Sequence, residues 1–505
     1  MSDNSVKNKR IAKNTVFLYL RMLLVLIVQL YTSRVILNTL GIQNFGIYNV
    51  VAGFVTMFGF LNSTLSSSMQ RFYNYEGSRN GSKGFRDVYI TGVNIQIGLG
   101  LIILLLLETF GLWYVNTIMV IPADRLLAAN ILFQSSCLSL FLVLFQLPYL
   151  GAIMAKEHMN YYALVSILEV VLKLVIVLVL PFLPFDKLIT YALLYLLISI
   201  TNALMYFIYS RIKFHELRYR FEFNKSLFKS MLSFSGWNLI GTFAFMLRGQ
   251  GVNMLLNAFF GPVVNAARGI AFQVNSAISG FSSNIATAFK PQLVNSYAEG
   301  HKTRTIQLML SESKICFMLI GLLVTPVAIE IDYLLHIWLG DKIPNHTALF
   351  TILVLIDLLV STLNTPITHI TWATGRIRKF QIYSSVVNLM LLPACWIFLK
   401  QGANSYMVFV ITIVISCCNQ CVCVICANNE IRFGLITYVQ KVLVPCFLYI
   451  GILPIVPYLI VNILDSSFLR LFIVSLSSVL VAVFLMYFIG LQKTEKDLVK
   501  KIIKR

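Results

Sequence analysis

The chain has 505 residues, of which 58% are hydrophobic and only 12% are charged, and its mean hydropathy is +0.80. About a quarter of the residues in a soluble domain are charged, so the composition excludes an ordinary soluble protein. The net charge of +20 would point to nucleic acid in a soluble chain, but in a chain this apolar it serves membrane orientation and contact with anionic lipid headgroups. We therefore expect no nucleic-acid partner.

Apolar runs recur along the whole chain. A run of about 20 apolar residues spans the hydrocarbon core as a helix, and helices satisfy every backbone polar group in lipid. We therefore expect an all-α polytopic membrane protein with about 14 transmembrane helices. The predicted spans are residues 15–38, 44–67, 88–111, 124–150, 161–183, 188–210, 230–257, 263–289, 314–338, 347–374, 381–399, 404–427, 442–463 and 469–490.

Positive charge is distributed unevenly between the predicted loops. The terminal tails and the loops after even-numbered helices hold 30 lysines and arginines, whereas the opposite loops hold five. The five are Arg125, Lys187, Lys342, Lys400 and Arg470. Positive residues are retained in the cytoplasm, so we expect both termini to be cytoplasmic.

Five cations interrupt the predicted membrane helices: Arg21, Arg34, Lys173, Arg248 and Arg268. A charge inside the bilayer is costly, so such residues normally face a bundle interior or a water-filled cavity. Arginine binds phosphate groups through two parallel hydrogen bonds, which favours an anionic substrate. The alternative for Arg21 and Arg34 is that their side chains extend to the nearer membrane surface.

Amides on the same helices are candidates for contact with sugar hydroxyls, because an amide both donates and accepts hydrogen bonds. The predicted substrate-binding amides are Gln29, Gln250, Asn253 and Gln273. Buried amides also bridge helices in membrane bundles, and the sequence leaves both roles open.

Two acids within predicted spans are further candidates: Glu169, together with Lys173, for substrate binding and Asp357 for ion coupling. Glu169 and Lys173 are four residues apart in helix 5 and therefore share one face, either as a structural pair or as a cavity-facing pair that changes partners during transport. Asp357 is the only acid that the predicted spans place deep in the second half of the chain. It is the candidate for binding a coupling proton or sodium ion, and balancing a nearby cation is its alternative role. We expect no cofactor beyond such an ion.

Five of the nine cysteines fall in one predicted helix: Cys417, Cys418, Cys421, Cys423 and Cys426. A metal site would require polar surroundings and ligands from two segments, usually with histidine. Helix packing is the simpler role for small apolar side chains, and we expect no metal site.

The two halves of the chain contain a similar segment. Leu37-Asn38-Thr39-Leu40-Gly41 closes helix 1, and Leu256-Asn257-Ala258-Phe259-Phe260-Gly261 closes helix 7. An even number of helices separates the copies, so the repeats run parallel. The predicted organisation is one six-helix lobe (1–210), a cytoplasmic linker (211–229), a second six-helix lobe (230–427), two extra helices (428–490) and a basic cytoplasmic tail (491–505).

This organisation resembles the multidrug/oligosaccharidyl-lipid/polysaccharide exporter superfamily, and within it the polysaccharide-biosynthesis branch of Wzx-type flippases. The resemblance is carried by the basic start Asn8-Lys9-Arg10-Ile11-Ala12-Lys13-Asn14-Thr15, the turn Leu40-Gly41…Phe45-Gly46-Ile47-Tyr48, and Lys290-Pro291. It implies alternating access around a cavity lined by helices 1, 2, 7 and 8. The implied substrate is an undecaprenyl-diphosphate-linked oligosaccharide repeat unit, moved to the outer leaflet of the bacterial inner membrane for surface polysaccharide, O-antigen or capsule assembly. The expected partners are membrane lipids and polysaccharide polymerase machinery, with the protein itself a monomer.

Two other functions are compatible with a polytopic membrane protein. A cation-coupled multidrug antiporter needs carboxylates in its cavity, and the leading helices of both predicted lobes carry arginine and no acid. A membrane enzyme of glycan assembly needs a sizeable outer loop to hold an acceptor, whereas the longest predicted outer loop, 112–123, contains no carboxylate. We therefore expect a transporter rather than an enzyme, with the sugar, the coupling ion and the resting state left open.

Overall fold

In the computed structural model, the chain is described at residues 3–156, 158–220, 222, 224–374 and 377–490. Within these ranges, side chains are described except at 3–27, 29, 60–64, 67–68, 70–71, 74, 78, 159–160, 233–245, 282–288, 290–292, 294–295, 298 and 377. Helices make up most of the described chain, and no strand occurs in it. The predicted all-α class is confirmed.

The chain forms two compact units, residues 1–266 and 267–505. The helices of the first unit are α1 (Asp3–Thr56), α2 (Phe60–Leu106), α3 (Leu112–Thr117), α4 (Leu126–Ala155), α5 (Met159–Val179), α6 (Lys187–Lys213) and α7 (Lys225–Phe260). Helix α8 (Pro262–Ala298) begins at the end of this unit and continues in the second.

The second unit contains eleven further helices. They are α9 (Lys302–Ile329), α10 (Ile331–Leu339), α11 (Thr347–Thr362), α12 (Asn364–Thr374), α13 (Ile377–Leu389), α14 (Leu391–Lys400), α15 (Met407–Ile431), α16 (Leu435–Tyr438), α17 (Val444–Ile452), α18 (Ile455–Ile463) and α19 (Phe468–Leu485). Several of them are halves of one predicted span. The span 347–374, for example, divides at Leu363, just before Pro366, whose ring cannot continue the preceding hydrogen-bond ladder.

Ten of the described helical segments are long and apolar enough to cross a membrane. They coincide with ten of the predicted spans, namely those in 79–213 and 302–490. The remaining four predicted spans, 15–38, 44–67, 230–257 and 263–289, lie in helices that include residues outside the described set. The protein is thus a multi-pass membrane protein, and the total of fourteen spans stays a prediction.

The two repeat segments end in glycines with the same backbone conformation. Gly41 has φ 77° and ψ 165°, and Gly261 has φ 77° and ψ −176°. A positive φ is strained for any residue with a Cβ atom, so both turns require glycine. The sequence match at the ends of helices 1 and 7 therefore corresponds to two turns of the same geometry.

Helix α7 packs against α1 and α2 and belongs to the first compact unit. The boundary between the units falls at Ala266, within α8, rather than in the predicted linker 211–229. The predicted division into two six-helix lobes follows from the sequence repeat, and it stays a prediction.

Most of the five cations of the loops predicted to be extracytoplasmic have local partners. Arg125 donates to both carboxylate oxygens of Asp186 at 2.7 and 3.2 Å and to Asn44 Oδ1 at 2.8 Å, which ties the starts of α4 and α6 to α1. Arg470 donates to both carboxylate oxygens of the buried Glu330 at 2.8 and 2.7 Å. These charges are part of the helix junctions, which explains why they occur in loops otherwise poor in positive charge.

Lys187, at the start of α6, binds the end of the preceding helix, and Lys400 lies at the end of its own helix, α14. The Lys187 ammonium donates to the carbonyl oxygens of Leu180, Pro181 and Leu183, where α5 ends. The ammonium of Lys400 lies 4.8 Å from the centre of the Trp396 ring. A cation near the last carbonyls of a helix is stabilised by the helix dipole.

Tyrosines fix the packing of α2 on α4 in the first unit. Tyr73 donates a hydrogen bond to the carbonyl of Pro148 at 3.0 Å, and the hydroxyls of Tyr89 and Tyr149 are 3.2 Å apart. All three rings are almost fully buried. Burying a hydroxyl without a partner is costly, so these bonds determine how the two helices align.

Candidate functional site

The structure describes the side chains of three of the four predicted anion-binding arginines, Arg34, Arg248 and Arg268. Arg21 and Gln29 lie outside the residues whose side chains are described. Arg34 is exposed on α1, and Arg248 is half-buried on α7. Their part in substrate binding stays a prediction.

Arg268 and Gln273 lie on α8 in the second unit. Arg268 is 7% exposed, and its guanidinium carbon lies 4.1 Å from the centre of the Phe272 ring. A cation over an aromatic face is stabilised by about 2 kcal/mol when the pair is desolvated. Arg268 is therefore held inside the protein and does not extend along the surface.

Asn253 takes part in hydrogen bonds between helices. Its Nδ2 donates to the carbonyl of Asn49 in α1 at 3.0 Å. The Nδ2 of Asn265 in turn donates to both the backbone carbonyl and the Oδ1 of Asn253, each at 2.7 Å. Asn253 thus has the bridging role that the sequence left open beside sugar binding.

Further close contacts fix the same end of α7, and together we name these contacts the α1–α7 clasp. Asn257 accepts from the Val120 amide at 2.9 Å and donates to its carbonyl at 3.4 Å. A Cβ atom at Gly46 would lie 1.8 Å from the carbonyl oxygen of Pro262. Gly53 in α1 approaches Gln250 in α7 closely, since a Cβ atom at Gly53 would lie 2.8 Å from Gln250 Oε1. Gln250 is therefore part of the clasp.

Glu169 and Lys173 form the ion pair that their spacing in α5 predicts. The Lys173 ammonium donates to Glu169 Oε1 at 2.5 Å and lies 5.2 Å from the centre of the Tyr195 ring in α6. The two side chains are 37% and 36% exposed. Both side chains line a cavity of about 330 Å³, so neighbouring helices do not cover them completely.

The cavity lies inside the first unit and is enclosed by α1, α4, α5 and α6 together with the short turn after α1. Glu169 and Lys173 are its only charged lining residues among those the structure describes, so the charges of the lining cancel. The other polar lining residues are Tyr48, Thr56, Ser135, Ser136, Ser139, Gln146, Tyr191, Tyr195, Ser199 and Asn202. Rings, hydroxyls and amides around a neutral pair form a surface suited to uncharged polar ligands.

Asn202 stands out among these residues. Its side chain is 7% exposed, and its Oδ1 has no hydrogen-bond partner among the described residues. A buried acceptor of this kind costs about 1–3 kcal/mol unless a ligand or water supplies a donor. Asn202 is therefore the described lining residue of the cavity with an unsatisfied, buried polar atom.

Sequence reasoning missed most of the cavity, although α6 carried a signal. Tyr191, Tyr195, Ser199 and Asn202 follow one another at spacings of four, four and three, which places them on one face of a helix. A polar stripe of this kind on an apolar membrane helix faces protein or a cavity rather than lipid. Charge alone directed the prediction to Glu169 and Lys173.

In the second unit, Asp357 accepts a hydrogen bond from the Ser416 hydroxyl of α15. The prediction that Asp357 is the only deep acid of the second half is wrong. Glu312 is fully buried in α9 and lies 2.9 Å from His369 Nδ1, and Lys314 is only 3% exposed. The reason is a helix start: α9 begins at Lys302, so Glu312 falls inside a helix rather than in the loop before the predicted span 314–338.

The cysteine run of α15 divides into two faces. Cys423 is buried against the core of the second unit, whereas Cys417, Cys418 and Cys421 are exposed. Among the described residues, no group of three histidine, cysteine or acidic side chains could hold a metal ion.

Two solved structures share this fold. A lipid II flippase MurJ, in an inward closed conformation, superposes with a TM-score of 0.70 at 14% identity, covering 97% of this chain and 100% of that one. A multidrug resistance MATE family transporter of the MOP superfamily, in an inward-facing conformation, gives 0.68 at 15% identity over 80% of this chain and 94% of that one. Identities this low show the fold and not the function.

Among curated proteins, none matches the chain significantly. The model of the polysaccharide biosynthesis protein family matches residues 11–296, more than half of the chain. This match covers α1 to α7 and nearly all of α8, including the clasp and the cavity. The protein therefore belongs to the polysaccharide biosynthesis protein family and has the fold of MOP-superfamily transporters.

Proposed function

We propose that the protein is a flippase that moves an undecaprenyl-diphosphate-linked oligosaccharide from the cytoplasmic to the outer leaflet of the bacterial inner membrane. The observation that carries this proposal is the family match, which joins polysaccharide biosynthesis to a transporter fold. A membrane transporter in such a pathway must carry an intermediate across the bilayer, and lipid-linked sugars are the intermediates that cannot cross by themselves.

The cations within the membrane helices support an anionic lipid headgroup. The diphosphate is assigned to Arg21, Arg34, Arg248 and Arg268, the arginines of helices 1, 7 and 8. A planar, permanently charged guanidinium suits a diphosphate better than an ammonium does. The polyprenyl chain would remain in lipid, and both termini would be cytoplasmic.

The second candidate function is a multidrug antiporter, which the likeness to a MATE family transporter favours. An antiporter for cations requires carboxylates without a counter-charge in its binding cavity. In the first unit the only cavity carboxylate that the structure describes, Glu169, is neutralised by Lys173. The charge balance therefore favours the flippase.

The proposal is tested in cells. Deleting the gene should cause undecaprenyl-diphosphate-linked glycan to accumulate in the cytoplasmic leaflet, which is measured by its resistance to a periplasmic glycosidase. Arg248→Ala should reproduce the accumulation at normal protein abundance, and Arg248→Lys should restore transport only in part. Lys156→Met, a change at a surface ion pair with Glu216, is the control and should behave as the wild type. Normal glycan export in the deletion strain contradicts the proposal.

Transport against a gradient requires an energy source, and we propose that Asp357 binds the coupling proton or sodium ion. Asp357→Asn should reduce transport in liposomes and abolish its response to an imposed ion gradient. Glu312→Gln is the comparison, because that acid is fully buried in the second unit. If Asp357→Asn keeps the full response and Glu312→Gln loses it, the coupling role belongs to Glu312.

A further inference from the structure

We infer that the cavity enclosed by α1, α4, α5 and α6 is a glycan subsite, which receives one or two uncharged sugar residues of the transported lipid and tests their identity. This inference rests on the proposed function, but it concerns the sugar and not the diphosphate. The resemblance to flippases implies a cavity lined by helices 1, 2, 7 and 8, whereas α4, α5 and α6 supply most of this lining.

The volume of the cavity limits the size of the ligand that can bind in it. Pockets for small ligands have volumes of about 300–1,000 Å³, and this one is about 330 Å³. The space suits one or two sugar rings. It is too small for a whole oligosaccharide or for a polyprenyl chain, so the remainder of the substrate must lie outside it.

The charges of the lining residues exclude the diphosphate as the ligand of this cavity. Glu169 and Lys173 are the only charged residues of the described lining, and they are 2.5 Å apart. A diphosphate would meet the carboxylate as well as the ammonium, and a cationic drug would meet the ammonium as well as the carboxylate. An uncharged sugar can bind both, because its hydroxyls donate to Glu169 and accept from Lys173.

The buried acceptor of Asn202 supplies the second argument. Its Oδ1 lacks a partner among the described residues, while the neighbouring Ser135 and Ser139 are 6% and 8% exposed. A sugar hydroxyl or acetamido N–H that donated to Asn202 would remove the penalty of that unpaired acceptor. A ligand lacking the group would leave the penalty in place, which is how a polar site becomes selective.

Aromatic rings provide the apolar part of sugar recognition. Tyr195 is 36% exposed, and Tyr191 lies between it and Tyr48, with ring centres 6.2 and 5.2 Å away respectively. The C–H face of a pyranose ring is apolar and packs on an aromatic face, while the phenol hydroxyls bind its edge. Rings, a neutral ion pair and an unpaired amide oxygen together describe a carbohydrate site.

The test measures selectivity for the sugar separately from binding of the lipid. Two probes are compared in nanodiscs: the lipid-linked glycan extracted from cells that lack the gene, and undecaprenyl diphosphate without sugar. The wild type should bind the glycan-bearing probe at least about tenfold more tightly. Asn202→Leu and Tyr195→Ala should remove this preference while the affinity for the bare lipid stays within about twofold.

The controls come from the same unit. Lys156→Met and Tyr219→Phe change an ion pair and a tyrosine outside the cavity and should keep the preference. A second measurement does not depend on the stability of the cavity variants: Ser136→Cys should be alkylated more slowly in the presence of the glycan-bearing probe and at an unchanged rate with the bare lipid.

The outcomes separate the inference from the proposed function. If both probes bind the wild type equally, or if the cavity variants keep the preference and Ser136→Cys is not protected, the glycan subsite is wrong and the flippase proposal stands. If neither probe binds, the proposed function fails and the glycan subsite fails with it.

Discussion

At the scale of single residues, the ion pairs at helix junctions differ from the ion pair of the cavity. Those at helix junctions, such as Arg125 with Asp186 and Arg470 with Glu330, make two parallel hydrogen bonds within their own unit. In the cavity, Glu169 and Lys173 share one bond and keep about a third of their surface exposed. The first kind stabilises the fold, and the second is available to a ligand.

The junction at Asp186 predicts a pH dependence. Hydrogen bonds from Arg125 hold the pKa of the Asp186 carboxyl below its ordinary value, although partial burial acts in the opposite direction. A carboxyl with a lowered pKa in the folded state contributes stability above its unfolded pKa of about 4 and loses it as the pH falls through the lower folded value.

Asp186→Asn should therefore lower the thermal unfolding midpoint of the purified protein at pH 7, and the difference from the wild type should shrink as the pH falls through the lowered folded pKa of Asp186. Asparagine caps a helix as well as aspartate does, so this change keeps the cap and removes the charge together with the carboxylate oxygen that accepts from Arg125. Asp186→Ala should cost about 1 kcal/mol more, through loss of the cap on α6. Asp341→Asn, at a side chain that is 98% exposed, should have no effect. A constant difference at all pH values would assign the effect of Asp186→Asn to packing.

Residue types alone could predict the ion pair of α5 but not its surroundings. Glu169 and Lys173 were recognisable because two charges at a spacing of four are conspicuous in an apolar helix. Asn202 and Tyr48 were not, because a single amide or ring in a membrane helix is equally consistent with helix packing. Only the convergence of α1, α4, α5 and α6 shows that these side chains line one space.

At the scale of helices, hydropathy predicted the ten described spans because the bilayer fixes both the length and the apolarity of a helix. It could not predict helix starts in the aqueous region. Polar residues interrupt the apolar run before residue 314, so hydropathy places Glu312 in a loop, yet α9 extends back to Lys302 and buries Glu312. A helix in lipid has to be apolar, whereas a helix buried within protein can carry paired polar residues. Hydropathy therefore detects the first kind of burial and not the second.

The close packing of the clasp gives a prediction at the same scale. A Cβ atom at Gly46 would meet the carbonyl oxygen of Pro262 at 1.8 Å, and a backbone atom cannot rotate away. Gly46→Ala should therefore destabilise the protein by about 1–3 kcal/mol, measured as a lower thermal unfolding midpoint. The same change at Gly98 in α2, where nothing lies within 4 Å of the added atom, should be neutral or stabilising by up to about 1 kcal/mol. Equal midpoints for the two variants would contradict the close approach of Gly46 to Pro262.

At the scale of the whole molecule, the chain combines a transporter fold with membership in a polysaccharide biosynthesis family. The repeated turn is visible in the sequence because both tight turns demand glycine at the same place, and Gly41 and Gly261 have the same φ of 77°. The extent of each compact unit was not visible, since it depends on how α7 packs against α1 and α2.

The central claim is that this protein moves a lipid-linked glycan across a membrane, and a reconstituted transport assay tests it most directly. Purified protein in liposomes should transfer fluorescent undecaprenyl-diphosphate-linked glycan between leaflets, measured by its accessibility to a membrane-impermeant reducing agent. Cationic dyes should not be moved, and Arg248→Ala should reduce lipid transfer to the rate of empty liposomes. Transport of the dyes without transfer of the lipid-linked glycan would contradict the account and establish the antiporter in its place.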